Sequence, residues 1–156
     1  MTQQKSIDLI NNLLELNNDR IEGYDTAAKE TEETELKDLF HQLMKTSYTN
    51  KEQLVAHIYQ LDGTPVHGTR ITGKFFRVWM DVKAFLTGKD RVSILDSCEY
   101  GEKVIRDAYN DTLKNNSEDL SIPQKVLLNL QLKGLLVDQA KLTAFRNIIV
   151  MEEKNM

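Results

Sequence analysis

Cysteine occurs once in this chain of 156 residues, at Cys98. A lone thiol excludes an internal disulfide and any metal-thiolate pair. Proline occurs only at Pro65 and Pro123, both where helices would break on other grounds. Apolar runs span only a few residues, far short of the ~20 needed to cross a bilayer. No block of lysine and arginine interrupts the mixed charge pattern, so neither nucleic acid nor a membrane surface is an expected partner. The segment from Met1 to Ser6 has no apolar core of a secretory signal, which makes the cytoplasm the expected location.

What is present is an ordinary globular composition. Apolar residues make up 40% and charged residues 28%, with a net charge of −4. That excludes a disordered chain. The length fits one domain, residues 1–156, built on a single continuous core.

Apolar residues recur at steps of three and four, the period of helices with one buried face. The first predicted helix runs from about Gln3 to Glu30, with Ile7, Ile10, Leu14, Asn17, Ile21, Tyr24 and Ala28 in its stripe. Each residue turns ~100° about a helix axis, so Glu22 points away from that stripe and is expected in solvent. The run Lys29 to Glu33 reads as a solvated junction. A second helix spans about Glu33 to Leu61, with Leu36, Leu39, Phe40, Leu43, Ser47, Asn50, Leu54, Ile58 and Leu61 facing inward. Asp62-Gly63 offers a residue free to take positive φ, and Thr64-Pro65 blocks any restart.

Residues 66–73 read as a loop, and Lys74 to Leu86 as a shorter helix carrying Phe75, Phe76, Trp79 and Phe85. That helix would cap one end of the core or face a partner. The loop glycines Gly68 and Gly73 lie near a helix start but lack the phosphate-loop pattern. A third helix extends from about Asp90, its N-cap, to Lys114, with Ile94, Leu95, Cys98, Glu102, Ile105, Tyr109 and Leu113 on one face. Cys98 therefore reads as a buried, inert thiol. Ser121 caps the fourth helix, which Pro123 opens and which ends near Val150. Its expected stripe is Val126, Leu127, Leu130, Gly134, Val137, Phe145 and Ile148, with Gln131 at the edge. The tail Met151 to Met156 is expected to fray. Two short-linked hairpins joined by a long crossover give an all-α, ferritin-like four-helix bundle with an extra short helix in the crossover.

Several stretches carry a family resemblance. They are Asn18-Asp19-Arg20-Ile21-Glu22-Gly23-Tyr24, Trp79-Met80-Asp81-Val82-Lys83-Ala84 through Leu86-Thr87-Gly88-Lys89-Asp90, and Cys98-Glu99-Tyr100-Gly101-Glu102. With these the chain resembles the ferritin-like superfamily and, within it, the bacterial DUF2383 family of uncharacterised four-helix bundles. The narrower resemblance implies a fold and no established reaction. The wider one implies a di-metal centre, built from a Glu on each of two helices and a Glu-x-x-His on each of the others.

Those six ligand positions correspond here to Asn17, Ser47, Asn50, Glu102, Gln131 and Gly134, and only Glu102 is a ligand type retained. One carboxylate cannot balance two divalent ions. A shift of register would recruit Glu22, Glu52 and Glu99, which lie off the apolar stripes. His41, His57 and His67 are not preceded by Glu at the required spacing. No metal or other cofactor is therefore expected. The inward set Asn17, Tyr24, Ser47, Asn50, Glu102, Tyr109 and Gln131 could form a buried hydrogen-bond network, or bind a small ligand or one ion. Glu102 should need a cation nearby, and the sequence leaves open whether Arg20 or Lys51 supplies it. The favoured function is a non-catalytic bundle acting through protein contacts, expected as a homo-oligomer. A ligand or metal binder around Glu102 and a di-iron oxidoreductase are the alternatives.

Overall fold

The computed structural model describes residues 3–68 and 90–155. Among them the secondary structure is helical throughout. Four helices, α1 (Gln3–Glu30), α2 (Thr34–Gln60), α3 (Arg91–Asn115) and α4 (Ile122–Lys154), are joined on the α3–α4 side by a 3-10 turn at Ser117–Asp119. The expected crossover loop and its aromatic helix, with Phe75, Phe76, Trp79 and Phe85, lie outside the described residues. No described helix is long and apolar enough to cross a membrane.

The helix ends follow from local chemistry. Asp90 caps α3, its Oδ1 accepting from the Ser93 amide at 3.1 Å. Ser121 caps α4 in a reciprocal box: its Oγ accepts from the Gln124 amide at 3.2 Å while Gln124 Oε1 accepts from the Ser121 amide at 2.8 Å. At the end of α2 the positive φ, 59°, belongs to Asp62. Gly63 serves a different need. A Cβ there would meet Ile58 Cγ2 and Ile7 Cδ1, both at 3.0 Å, so the glycine lets the turn close against α1. At the junction after α1 the charged residues Lys29, Glu30, Glu32 and Glu33 are exposed as expected, while Thr31 is buried and its amide donates to Ala27 O.

α1 packs mainly on α2 and α3 mainly on α4, and the two hairpins meet through α1–α3 and α2–α4. This arrangement makes two apolar clusters. One gathers Tyr24, Leu36, Phe40, Leu43, Ile94, Leu95, Cys98, Leu142 and Ile149. The other gathers Ile10, Leu13, Leu14, Leu54, Ile58, Ile105, Tyr109, Leu128 and Leu135. Where the two sets meet, every helix contributes buried polar side chains: Asn17 and Arg20, Ser47 and Asn50, Glu102, Gln131 and Asp138.

Helix α4 departs from its expected phase. Val126, Leu130, Val137 and Ile148 are 54–61% exposed, whereas Leu128, Gln131, Leu132, Leu135, Asp138, Leu142 and Ile149 are buried. The reason is that α4 is apolar on two opposite faces, so periodicity alone does not choose between them. The bundle buries the face that brings Gln131 and Asp138 to the polar layer. The helix also continues past Val150 to Lys154. Arg91, at the start of α3, lies 4.0 Å from Glu152 and 3.7 Å from Glu153, which favours order in these last turns.

Candidate functional site

The polar layer is organised around one guanidinium. Arg20 is 1% exposed, and its position on α1, three residues after Asn17 and four before Tyr24, puts it on the inward face. A guanidinium has five N–H donors in a planar fork. Here all five have acceptors. Nε faces both oxygens of Glu102, at 3.2 and 3.1 Å. One terminal nitrogen donates to Ser47 Oγ at 2.9 Å and to the Leu43 carbonyl. The other donates to Glu102 Oε1 at 2.8 Å and to Asp138 Oδ2 at 2.9 Å. Tyr24 adds its hydroxyl to Glu102 Oε1 at 2.6 Å, and its ring lies 5.3 Å from the guanidinium carbon.

From Ser47 the network continues through neutral groups. Ser47 Oγ donates to Asn17 Oδ1 at 2.9 Å, and Asn50 Nδ2 donates to the same oxygen at 3.2 Å. Asn17 Nδ2 donates to the Leu13 carbonyl and to Tyr109 Oη, each at 2.9 Å. Tyr109 donates to Gln131 Oε1 at 2.8 Å, and Gln131 Nε2 reaches the Asn50 carbonyl at 3.3 Å and Gln53 Oε1 at 3.0 Å. All four helices thus share one continuous set of hydrogen bonds. Within this layer each amide and hydroxyl finds its partner in the protein.

The electrostatics match that geometry. Burial alone would lower the Arg20 pKa, but the carboxylate of Glu102, then Tyr24 and Asp138, raise it above its ordinary value. Burial pushes the Tyr24 phenol well above its ordinary value, and the Glu102 carboxylate pushes it further. Tyr109 is raised by burial. Cys98 is likewise raised by burial and then by Glu102, which makes it a poor nucleophile. At neutral pH the arrangement therefore holds a protonated guanidinium, two protonated phenols and a thiol.

The structure brings together Asn17, Tyr24, Ser47, Asn50, Glu102, Tyr109 and Gln131. It does not bring Gly134 with them: that residue is half-buried, and a Cβ on it would meet Thr46 Cγ2 at 3.6 Å. Asp138 stands in the layer instead. Arg20, not Lys51, reaches Glu102. Glu22 and Glu52 are exposed and Glu99 half-buried. Among the described residues no group of three or more His, Cys, Asp or Glu side chains is placed to hold a metal ion. On the outer side of Glu102 an open groove of about 400 Å³ follows the α3–α4 seam. In its wall Arg106 donates to Gln139 Oε1, and Gln139 donates to the Glu102 carbonyl.

Sequence reasoning missed Asp138, although a signal existed. Asp138 follows Gln131 by seven residues, the spacing that also separates Asn17 from Tyr24 and Glu102 from Tyr109.

A family model for a domain of unknown function, DUF2383, matches residues 5–115. The matched stretch takes in α1, α2 and α3 and stops before α4. The chain belongs to the DUF2383 family. A search of curated proteins finds no match.

Proposed function

We propose that this member of the DUF2383 family is a non-catalytic, ferritin-like bundle that works through protein contacts, with a guanidinium in place of a di-metal centre. Two hairpins linked by the long stretch between Gly63 and Asp90 support the ferritin-like assignment. The same reading takes residues 1–156 as one cytoplasmic domain. The observation that carries it is Arg20, held between Glu102 and Asp138 at the middle of the bundle.

A di-iron or di-manganese centre of that superfamily uses four carboxylates and two imidazoles. The side chains here do not fit it. Asn17, Ser47, Asn50 and Gln131 are neutral, and both oxygens of Glu102 and Oδ2 of Asp138 are already bound by Arg20. Unit charges 4 Å apart repel by about 4 kcal/mol at an effective dielectric constant near 20, and a divalent ion beside Arg20 would meet about twice that. Binding metal would require this buried arginine to leave, stranding the acceptors of its five N–H donors. The arrangement instead suits a fixed internal strut, with function passed to the surface.

The test is an anaerobic ferrous-ion titration by calorimetry on chelator-treated protein, comparing wild type with Glu102→Ala. The expected result is no saturable heat in either protein. Two tight equivalents in the wild type, lost in the variant, would overturn the reading and make the chain a di-metal protein.

A further inference from the structure

At the end of the bundle where α2 stops and α4 starts, one buried amide serves two neighbours. Gln124 Oε1 accepts from the Ser121 amide at 2.8 Å, which is one half of the capping box that opens α4. Gln124 Nε2 lies 3.0 Å from Nε2 of His57, a half-buried ring in the last turn of α2. A backbone N–H can only donate, so the Gln124 oxygen must face Ser121 and its NH2 must face His57. An amide nitrogen can only donate in its turn. His57 Nε2 is therefore an acceptor, and the ring is neutral with its proton on Nδ1.

Protonation of His57 removes that acceptor and sets Nε2–H against an amide N–H. Turning the Gln124 amide over would offer the ring an oxygen, but it would also set NH2 against the Ser121 amide. One oxygen cannot satisfy both donors along these two directions. A hydrogen bond from a charged donor is roughly twice as strong as one from a neutral N–H. The imidazolium therefore wins the oxygen, and the Ser121 amide loses its partner.

The surroundings leave this choice to His57 alone. On α2 the residues one turn from it are Gln53, Leu54, Gln60 and Leu61, and on α4 Leu127 and Leu128 lie one turn beyond Gln124. The charged side chains at this end are Lys5 and Asp8 of α1, Glu52 and Asp62 on either side of His57, Lys114 of α3, Glu118 and Asp119 of the turn, and Lys125 of α4. Lys5 pairs with Asp119 at 3.3 Å, and Asp8 accepts from Gln4 at 2.8 Å. Among the described residues no charged side chain relieves the conflict: burial lowers the His57 pKa, and the neutral Gln60 side chain opposes it only in part.

We propose that His57 is an acid-sensitive switch on the start of α4. Neutral, it leaves the Gln124 oxygen to cap the helix; protonated, it takes that oxygen and uncaps the Ser121 amide. In the unfolded chain a histidine ionises near its ordinary value of about 6.5. The folded value is lower, so the stability that the closed cap contributes is complete above the unfolded value and is lost as pH falls through the folded one.

Nitrogen and amide NMR from neutral to mildly acid pH provides the test. At neutral pH the wild-type His57 ring should carry its proton on Nδ1. On acidification the ring and the Ser121 amide should shift with one midpoint, below the ordinary histidine value. Exchange of the Ser121 amide, corrected for its intrinsic rate, should quicken by roughly fivefold, the effect of losing one neutral hydrogen bond. The Ser93 amide is the control, because its cap is the Asp90 carboxylate, whose pKa is held below the usual range by the bonds from Ser93. It should not follow His57. Gln124→Glu supplies an oxygen to each neighbour and keeps the capping box. In that variant the proton affinity of His57 should rise at least ~10-fold, and the Ser121 amide should no longer follow the ring. A proton on Nε2 at neutral pH overturns the inference in the wild type alone. So does a Ser121 amide indifferent to His57, or a midpoint in Gln124→Glu no higher than in wild type. These readouts involve neither metal nor partner, so their failure leaves the proposed function standing.

Discussion

The apolar clusters and the polar layer between them are equally buried, yet they do different work. The clusters around Phe40 and Leu54 gain from removing hydrocarbon from water, a force with little direction that tolerates other side chains of similar volume. The layer around Arg20 depends on direction. Its donors and acceptors match only when α1, α2, α3 and α4 hold one axial position relative to one another. Burying three ionisable side chains also has a cost in desolvation, so the layer is weak evidence for stability. The comparison indicates that the clusters drive collapse and the polar layer selects which register the collapsed helices adopt.

The sharpest way to break that comparison is to remove its centre. Arg20→Ala should destabilise the protein by about 3–5 kcal/mol, because it leaves Glu102 and Asp138 buried beside each other without the guanidinium. Urea unfolding measures this directly. The triple variant Arg20→Met, Glu102→Leu, Asp138→Leu removes all three groups together and should come out neutral or more stable by about 1–4 kcal/mol. If the triple variant were as unstable as Arg20→Ala, the layer would be a source of stability and the division of labour would be wrong.

Next in size is the apolar side of the comparison. Leu54 is fully buried, and Leu54→Ala should cost about 2–5 kcal/mol through lost transfer energy and the cavity left behind. Leu54→Met should cost less than about 1.5 kcal/mol, since it nearly conserves volume. No equally mild substitution exists for Arg20: Arg20→Lys keeps the charge but cannot supply a planar five-donor fork. A Lys variant as stable as wild type would show that the layer needs charge alone. Unfolding midpoints for the three variants decide the matter.

The same contrast explains what could be read from the sequence. Helix ends were legible where capping chemistry is local, as at Asp90 and at Ser121. The buried positions of α1, α2 and α3 were legible because each has one apolar face. Six members of the polar layer followed from that periodicity and from the seven-residue pairs, and Gln131 from the ligand positions that the superfamily resemblance implies. Helix α4 was misphased because its outward line, Val126 to Ile148, is as apolar as its inward one. Asp138 was lost with that phase. The role of Arg20 was not legible because its head lies several bonds from its backbone, and its partners come from three other helices. Only assembly reveals which carboxylates it meets.

The smallest expected effect is a pH-dependent one at the edge of the layer. Tyr24→Phe deletes the hydroxyl that donates to Glu102 at 2.6 Å. A hydrogen bond to a charged group contributes about 1.5–3 kcal/mol, which should be the loss near neutral pH. That loss should shrink in alkali. Burial, and then the Glu102 carboxylate, raise the Tyr24 pKa in the folded protein, whereas in the unfolded chain the phenol ionises near its ordinary value of about 10. Stability from Tyr24 is therefore complete below that unfolded value and declines as pH rises above it. Each proton taken up by the folded state but not the unfolded one gives a slope of about 1.4 kcal/mol per pH unit. Tyr109 and Cys98, also raised, contribute to the alkaline decline in wild type and variant alike. Tyr24→Phe removes one such proton, so between pH 10 and 11 its curve should fall less steeply by up to about 1.4 kcal/mol. Urea unfolding across that interval separates the outcomes. Parallel curves would mean that Tyr24 ionises in the folded protein, and that this phenol lies within reach of water rather than between the polar layer and the apolar cluster beside it.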